Sequence, residues 1–223
     1  MNQIIDKLRR ERKGAMFIIS GPSGTGKGTI AKQLLDQDKN IKFSVSVTTR
    51  APRHNEVEGV DYYFISNEKY DELQKNDAFY EYVDSQYGNR YGTLRSEVDS
   101  FINVGQDVLF DMDWEGTRQM KEKAPNDVVT IYILPPSIKE LYERLLNRST
   151  DSREEVTKRM QLVLQRLNHC KEYDYIVVNA ELDDTVKKIQ RIISGERMKR
   201  VRQTGMKDFV ATLEKEAKEI LDL

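Results

Sequence analysis

The stretch Gly21-Pro22-Ser23-Gly24-Thr25-Gly26-Lys27-Gly28 has the residue types and the spacing of a phosphate-binding loop. Its glycines let the backbone curl until successive amide N–H groups converge on phosphate oxygens, and Lys27 adds a full positive charge. Thr29 follows at once, with a hydroxyl able to meet a divalent cation or its waters. Such a loop needs a strand to deliver it and a helix whose N-terminal dipole faces the anion. Met16-Phe17-Ile18-Ile19 supplies the apolar run of a buried strand, and Thr29–Gln37 carries Ile30, Leu34 and Leu35 at helical spacing. The expected ligand of Gly21 to Thr29 is a nucleoside triphosphate.

A second anion site is legible downstream. Ser46-Val47-Thr48-Thr49-Arg50-Ala51-Pro52-Arg53 leaves a strand with two arginines three apart, ahead of Gly59-Val60-Asp61-Tyr62-Tyr63-Phe64. Two guanidinium forks beside tyrosine hydroxyls suit a phosphate separate from the first.

Around this chemistry, apolar runs alternate with amphipathic stretches. Strands are expected at Met16–Ser20, Phe43–Val47, Val108–Asp111, Val128–Leu134 and Tyr175–Val178. Helices are expected at Thr29–Gln37, Leu94–Val104, Trp114–Lys123, Ser137–Asn147, Glu155–Cys170 and Asp183–Ile193. That order predicts an α/β fold, a parallel sheet covered by helices. Residues 50–93 break the rhythm: Asp61–Ile65 and Phe79–Val83 alternate with period two, as short antiparallel strands of an inserted substrate subdomain would. Arg148–Glu154, polar and turn-rich between two helices, reads as a mobile lid.

Composition removes several classes. The 223 residues suit one domain, with 38% hydrophobic and 33% charged residues. No apolar run approaches the roughly 18 residues of a membrane span. The N-terminus carries five basic residues and no apolar core of a secretory signal. Cys170 stands alone, which fits a reducing compartment, and a net charge of -1 gives no general pull toward nucleic acid. The expectation is a cytoplasmic protein with neither a membrane nor a nucleic-acid partner.

The order of these pieces resembles guanylate kinase. The resemblance rests on Gly-Pro-Ser-Gly-Thr-Gly-Lys at 21–27, Ser-Val-Thr-Thr-Arg-Ala-Pro-Arg at 46–53, Gly-Val-Asp-Tyr-Tyr-Phe at 59–64 and Gly-Asn-Arg-Tyr-Gly-Thr at 88–93. Asp-Met-Asp-Trp-Glu-Gly at 111–116, Leu-Pro-Pro-Ser at 134–137 and Tyr-Asp-Tyr-Ile-Val-Val-Asn at 173–179 complete it. It implies a P-loop kinase domain over 1–196, with a core of 14–47 and 94–193, a small mixed α+β GMP-binding insert at about 48–93 and a short lid at about 146–156. It implies ATP-dependent, Mg²⁺-assisted phosphorylation of GMP, and of dGMP. Arg50, Arg53, Tyr62 and Tyr91 would hold the GMP phosphate, and Ser46, Glu81, Thr93 and Asp113 would read the guanine. Lys27, Arg144, Arg148 and Arg159 would stabilise the transferring group.

The residue types agree: guanine presents N1–H and an exocyclic amine on one edge, both donors to a carboxylate. Taken singly, Glu81 also fits a solvated strand face, Tyr91 a core position, and Asp113 a helix N-cap. Gly28 stands where phosphate loops commonly carry a Ser or Thr for Mg²⁺, which leaves Thr29 and, in the outer sphere, Asp111 as candidates. Two rival readings remain, a non-catalytic interaction domain of the same architecture and a related kinase of a ribose phosphate compound. Residues 197–223 lie beyond the resemblance. Arg197, Lys199, Arg200 and Arg202 form a basic cluster. Phe209, Val210, Leu213, Ala217, Ile220 and Leu221 then follow helical spacing, expected to pack on the body or against another subunit.

Overall fold

A computed structural model describes residues 11–84, 88–146 and 153–222. Five parallel strands form the main sheet: β1 (Met16–Ser20), β2 (Ile41–Phe43), β7 (Asp107–Asp111), β8 (Val128–Leu134) and β9 (Tyr175–Val178), in the order β2-β7-β1-β8-β9. Strand β1 runs down the middle with every residue buried, as an unbroken apolar run must in a sheet covered on both faces. Its alternate side chains feed two cores. Phe17 and Ile19 join Leu34 and Ile189 on one face, while Met16 and Ile18 join Ile102 and Met120 on the other. The helices on those faces are α1 (Lys27–Gln37), α3 (Arg95–Ile102), α4 (Trp114–Lys123) and α7 (Leu182–Arg197).

A second, four-stranded sheet has the order β4-β3-β6-β5, from β3 (Ser46–Thr48), β4 (Tyr62–Phe64), β5 (Phe79–Asp84) and β6 (Arg90–Leu94), with α2 (Asn67–Lys75) packed beside it. Two expectations are corrected here. Phe43–Val47 is not one strand: the chain pairs with β7 up to Phe43, Ser44 N–H still donates to Leu109 O, and pairing in the second sheet starts at Ser46. Strand β4 is also not antiparallel to its partner; it runs parallel to β3, and only β3–β6 and β5–β6 are antiparallel.

Helices α5 (Ile138–Leu146) and α6 (Arg153–Leu167) flank residues 147–152, so the expected lid with Arg148 lies outside the described residues. Helix α6 ends at Leu167 in a 3₁₀ turn, Asn168–Glu172, instead of continuing to Cys170. In the basic cluster at 197–202, Lys199 and Arg200 are exposed, while Arg197 and Arg202 are drawn into ion pairs. Arg197 lies 2.7 Å from both Asp38 and the fully buried Asp107, which Arg12 also grips at 2.7 Å. Arg202, 3% exposed, faces buried Glu196. The final helix, α8 (Met206–Ile220), has no buried residue, so it does not pack back on the body. Among the described residues no helix is long and apolar enough to cross a membrane.

Candidate active site

The phosphate loop leaves β1 at the carboxyl edge of the parallel sheet, where open α/β sheets hold ligands. Gly21 has φ 143°, and a Cβ there would sit 2.3 Å from the Ile133 carbonyl oxygen, so only glycine lets the chain pass over β8. Gly26 has φ 88° and caps α1 with no side-chain bond, which leaves the first N–H groups of α1 to an anion. Thr25, fully buried, donates to Pro22 O at 2.9 Å. From the end of β9, Asn179 Nδ2 donates to Thr25 O at 2.8 Å and fixes the loop to the sheet.

Lys27 folds over this loop. Its ammonium donates to the carbonyls of Gly21 at 2.9 Å and Pro22 at 3.4 Å and lies 3.9 Å from Asp111. The cavity here, about 360 Å³, is lined by the loop together with Thr29, Asp111 and Arg144. Arg144 arrives from α5, held by Glu140 one turn back and by Asn179 O at 3.2 Å. Arg159 arrives from α6 and donates to Ser23 Oγ at 3.2 Å. Two of the three expected lid arginines thus converge on the loop. Asn179 is the residue sequence reasoning left without a role, although it closes a motif already noted.

The second anion site sits on the small sheet. Tyr62 pairs in register with Ser46 and Tyr91 with Thr48, and their rings stand 5.9 Å apart. Arg50 lies 5.5 Å above the Tyr62 ring and donates to Ala51 O at 2.8 Å, and its Nε is buried without a partner, a donor turned to no protein oxygen. Arg53 is exposed, and its charge reaches both Tyr62 and Glu56.

Glu56 is the surprise. Its carboxylate accepts from Arg50 Nη2 and from the Arg53 backbone N–H, each at 2.8 Å. The Arg50 bond, then the Arg53 amide, hold it below the usual carboxylate range. A carboxylate therefore bridges the side chain of one expected phosphate ligand and the backbone of the other, and it orients both. Its only signal in the sequence is an acid three residues after Arg53 in a turn. Glu56→Ala is expected to raise KM for the monophosphate substrate several-fold and to leave KM for the triphosphate unchanged. Steady-state kinetics with each substrate varied in turn will measure it, and an unchanged or lower monophosphate KM would show that Glu56 merely competes for Arg50.

The same small sheet carries an acidic wall, Glu81 on β5 paired with Thr93 on β6. Glu81 on β5 is 8% exposed and accepts from the fully buried Thr93 Oγ1 at 2.7 Å. Burial pushes its carboxyl above the ordinary range, the charge of Asp113 pushes the same way, and the Thr93 bond opposes both. The register shift between Phe79 and Glu81 breaks the alternation, so Phe79, Tyr80 and Glu81 are all buried in succession. Asp113 does cap α4, accepting from Gly116 N–H at 3.3 Å, and it stands beside Glu81 as well. Gly116 allows that approach: a Cβ there would come within 3.2 Å of Glu81 Oε2. Gln119 of α4 locks β5 in place through paired bonds with the Tyr82 backbone, 3.0 and 3.1 Å.

One short segment joins the two halves. Asp111 ends β7 beside Lys27, and Asp113, two residues on, stands beside Glu81. Their Cα atoms are at most about 7.6 Å apart by chain geometry. The phosphate loop and the acidic wall therefore border the same cleft. Asp111 and Thr29 offer the hard oxygen donors that suit Mg²⁺, and burial raises the Asp111 carboxyl while Lys27 pulls it down. A side chain at Gly28 would meet nothing within 4 Å, so the loop has room for a further ligand there but carries none. Among the described residues no cluster of three or more His, Cys, Asp or Glu could hold a metal alone. The donor set fits an ion that arrives with nucleotide oxygens and water.

Comparison with known proteins points to one family. The guanylate kinase family model matches residues 13–196. A guanylate kinase of Paramagnetospirillum magneticum is 48% identical over 202 residues, covering 91% of this chain and 94% of that one. One from Rickettsia conorii is 49% identical over 193 residues, covering 86% and 83%. The crystal structure of guanylate kinase from Anaplasma phagocytophilum superposes with a TM-score of 0.71 at 33% identity, covering 92% of this chain and 97% of that chain. With the family model covering most of its length and relatives nearly half identical to it, the chain belongs to the guanylate kinase family.

Proposed function

We propose that this protein transfers the γ-phosphoryl group of ATP to GMP, and to dGMP, in purine nucleotide recycling. The single observation that carries the reading is the two-residue step from Asp111 to Asp113, which sets the phosphate loop and the carboxylate wall against one space. The loop amides from Gly21 to Thr29 cradle the β- and γ-phosphates, and Lys27 exchanges its bonds to Gly21 O and Pro22 O for phosphate oxygens. Arg50, Arg53, Tyr62 and Tyr91 hold the GMP phosphate. Its oxygens are ionised near neutrality, with a second pKa of about 6, so the nucleophile needs no general base. Catalysis is then placement in line plus neutralisation of charge, by Lys27, Arg144, Arg148 and Arg159. Mg²⁺, when bound with ATP, offsets the charge shared between the β- and γ-phosphates, and Thr29 and Asp111 would face it or its waters.

Glu81 accepts from guanine N1–H and the 2-amino group, with Ser46, Thr93 and Asp113 completing the reading of the base. Adenine lacks both donors and would leave the Glu81 charge buried and unpaired. A ribose phosphate kinase would have no use for that wall, and an interaction domain no use for arginines gathered on the loop. A coupled assay offering GMP, AMP, CMP and UMP with ATP tests the reading. Turnover of GMP is expected to exceed that of AMP by at least about 10³-fold; turnover of none, or of a sugar phosphate alone, would overturn it. The lone Cys170 fits a reducing compartment, and the cytoplasm is the proposed location.

A further inference from the structure

Strand β5 lies at the edge of the small sheet, paired with β6 on one side, so its outer backbone groups need partners from elsewhere. Helix α4 supplies them. Gln119 Oε1 accepts from Tyr82 N–H at 3.1 Å and its Nε2 donates to Tyr82 O at 3.0 Å, the pair of bonds a residue of a neighbouring strand would make. One turn on, Lys123 Nζ donates to Phe79 O at 2.7 Å and reaches Asp77, in the turn before β5, at 3.4 Å. One turn before Gln119, a Cβ on Gly116 would come within 3.2 Å of Glu81 Oε2. Gly116, Gln119 and Lys123 follow helical spacing, so one face of α4 meets Phe79, Glu81 and Tyr82.

These contacts bracket the irregular point of the strand, the register shift between Phe79 and Glu81. Across it, Phe79 packs with Val47 and Tyr70 in the core of the small sheet, whereas Tyr80 packs with Ile18 and Ile102 in the core of the main sheet. A slip of one residue at such a point turns a side chain to the opposite face. Lys123 holds the backbone before the shift, and Gln119 holds it after. We infer that Gln119, seconded by Lys123, is a positioning residue for base recognition: it fixes the register that keeps the Glu81 carboxylate turned to the guanine edge. The inference rests on the reading of Glu81 as acceptor from guanine N1–H and the 2-amino group. Gln119 is uncharged, so its loss moves Glu81 without altering the field around it, whereas the charge of Lys123 also acts on that carboxylate. Two parallel bonds tolerate less displacement than one, so Gln119 governs discrimination between bases more than binding in general.

Steady-state kinetics of Gln119→Met with GMP and with inosine monophosphate, which keeps N1–H and lacks the 2-amino group, tests this. Methionine has a similar length and makes neither backbone bond. The kcat/KM for GMP is expected to fall about tenfold, chiefly through KM, and that for inosine monophosphate by less than about threefold, with KM for ATP unchanged. In a Glu81→Gln background the same substitution should cost less than about twofold on GMP, because Gln119 acts through Glu81. Equal losses on the two substrates, no loss on either, or an undiminished loss in the Glu81→Gln background each overturns the inference. Should Gln119→Met not fold, Gln119→Glu is put to the same comparison, since it keeps the acceptor for Tyr82 N–H and loses the donor to Tyr82 O. Wild type is assayed alongside with AMP. An enzyme that does not prefer GMP to AMP overturns the reading of Glu81 itself, whereas a preference with an unmoved ratio in the Gln119 variant overturns the positioning role alone.

Discussion

Glu81→Gln is expected to lower kcat/KM for GMP by about 10³-fold or more while leaving the affinity for ATP unchanged. The wild-type carboxylate accepts from two donors on one guanine edge, whereas the amide presents an NH₂ to one of them. Two donors then face each other in a site only 8% exposed, where water cannot intervene. The same substitution should raise the melting temperature. Burial holds the Glu81 carboxyl above its ordinary value, so its ionised form burdens the empty protein at neutral pH. The sign is definite. The neutral acid's contribution to stability is complete below the unfolded value and disappears as pH rises through the raised one. Removing the charge therefore helps at pH 7, and Thr93 still has an oxygen to donate to.

A pH dependence accompanies it. GMP needs the carboxylate, so KM for GMP should climb as pH falls into the range just above the ordinary glutamate value, and the Gln variant should lose that slope. Kinetics, ATP titration calorimetry and thermal melting measure the three effects separately. Unaltered GMP kinetics would remove Glu81 from the base site, and a lower melting temperature would refute the account of its burial.

Lys27→Met should lower kcat by about 10³-fold with KM for GMP little changed. The ammonium now rests on the carbonyls of Gly21 and Pro22, so it is already within the loop where the β- and γ-phosphates would lie. A methionine fills the same volume without charge, and Asn179, Thr25 and the positive φ of Gly21 still shape the loop. The fold should survive, which separates lost transition-state stabilisation from lost structure. Asp111 supplies a second readout. Lys27 offsets part of the burial effect on its carboxyl, so the variant should hold Asp111 protonated to higher pH, visible by carboxyl-labelled NMR. A kcat within tenfold of wild type would show that the loop amides and arginines suffice.

Much of the scaffold could be read directly because its physics is local. The bounds of β1, β8, β9 and α4 coincide with their expected ranges, since continuous apolar runs and a helical period mark each one. The phosphate loop was equally plain, because positive φ favours glycine at 21, 24 and 26, and at Gly21 a Cβ would strike the sheet. What failed was pairing. Phe43-Ser-Val-Ser-Val47 looks uniform, yet it spans the point where the chain leaves one sheet for another. Strand β6, Arg-Tyr-Gly-Thr-Leu, has no pattern of its own and exists because β3 and β5 flank it.

The candidate site divides in the same way. Which residues could bind phosphate followed from their type and spacing in the chain. That Glu81 is buried, that Glu56 braces Arg50, and that Asp111 and Asp113 join two sites depended on contacts between distant segments. The apolar stripe of α8 was visible in the sequence, but only the folded chain left it uncovered. Sequence by itself determined the elements and the anion chemistry, because backbone preference and side-chain charge act over a few residues. The tertiary structure alone decided burial, and with it which charges are costly enough to discriminate one base from another.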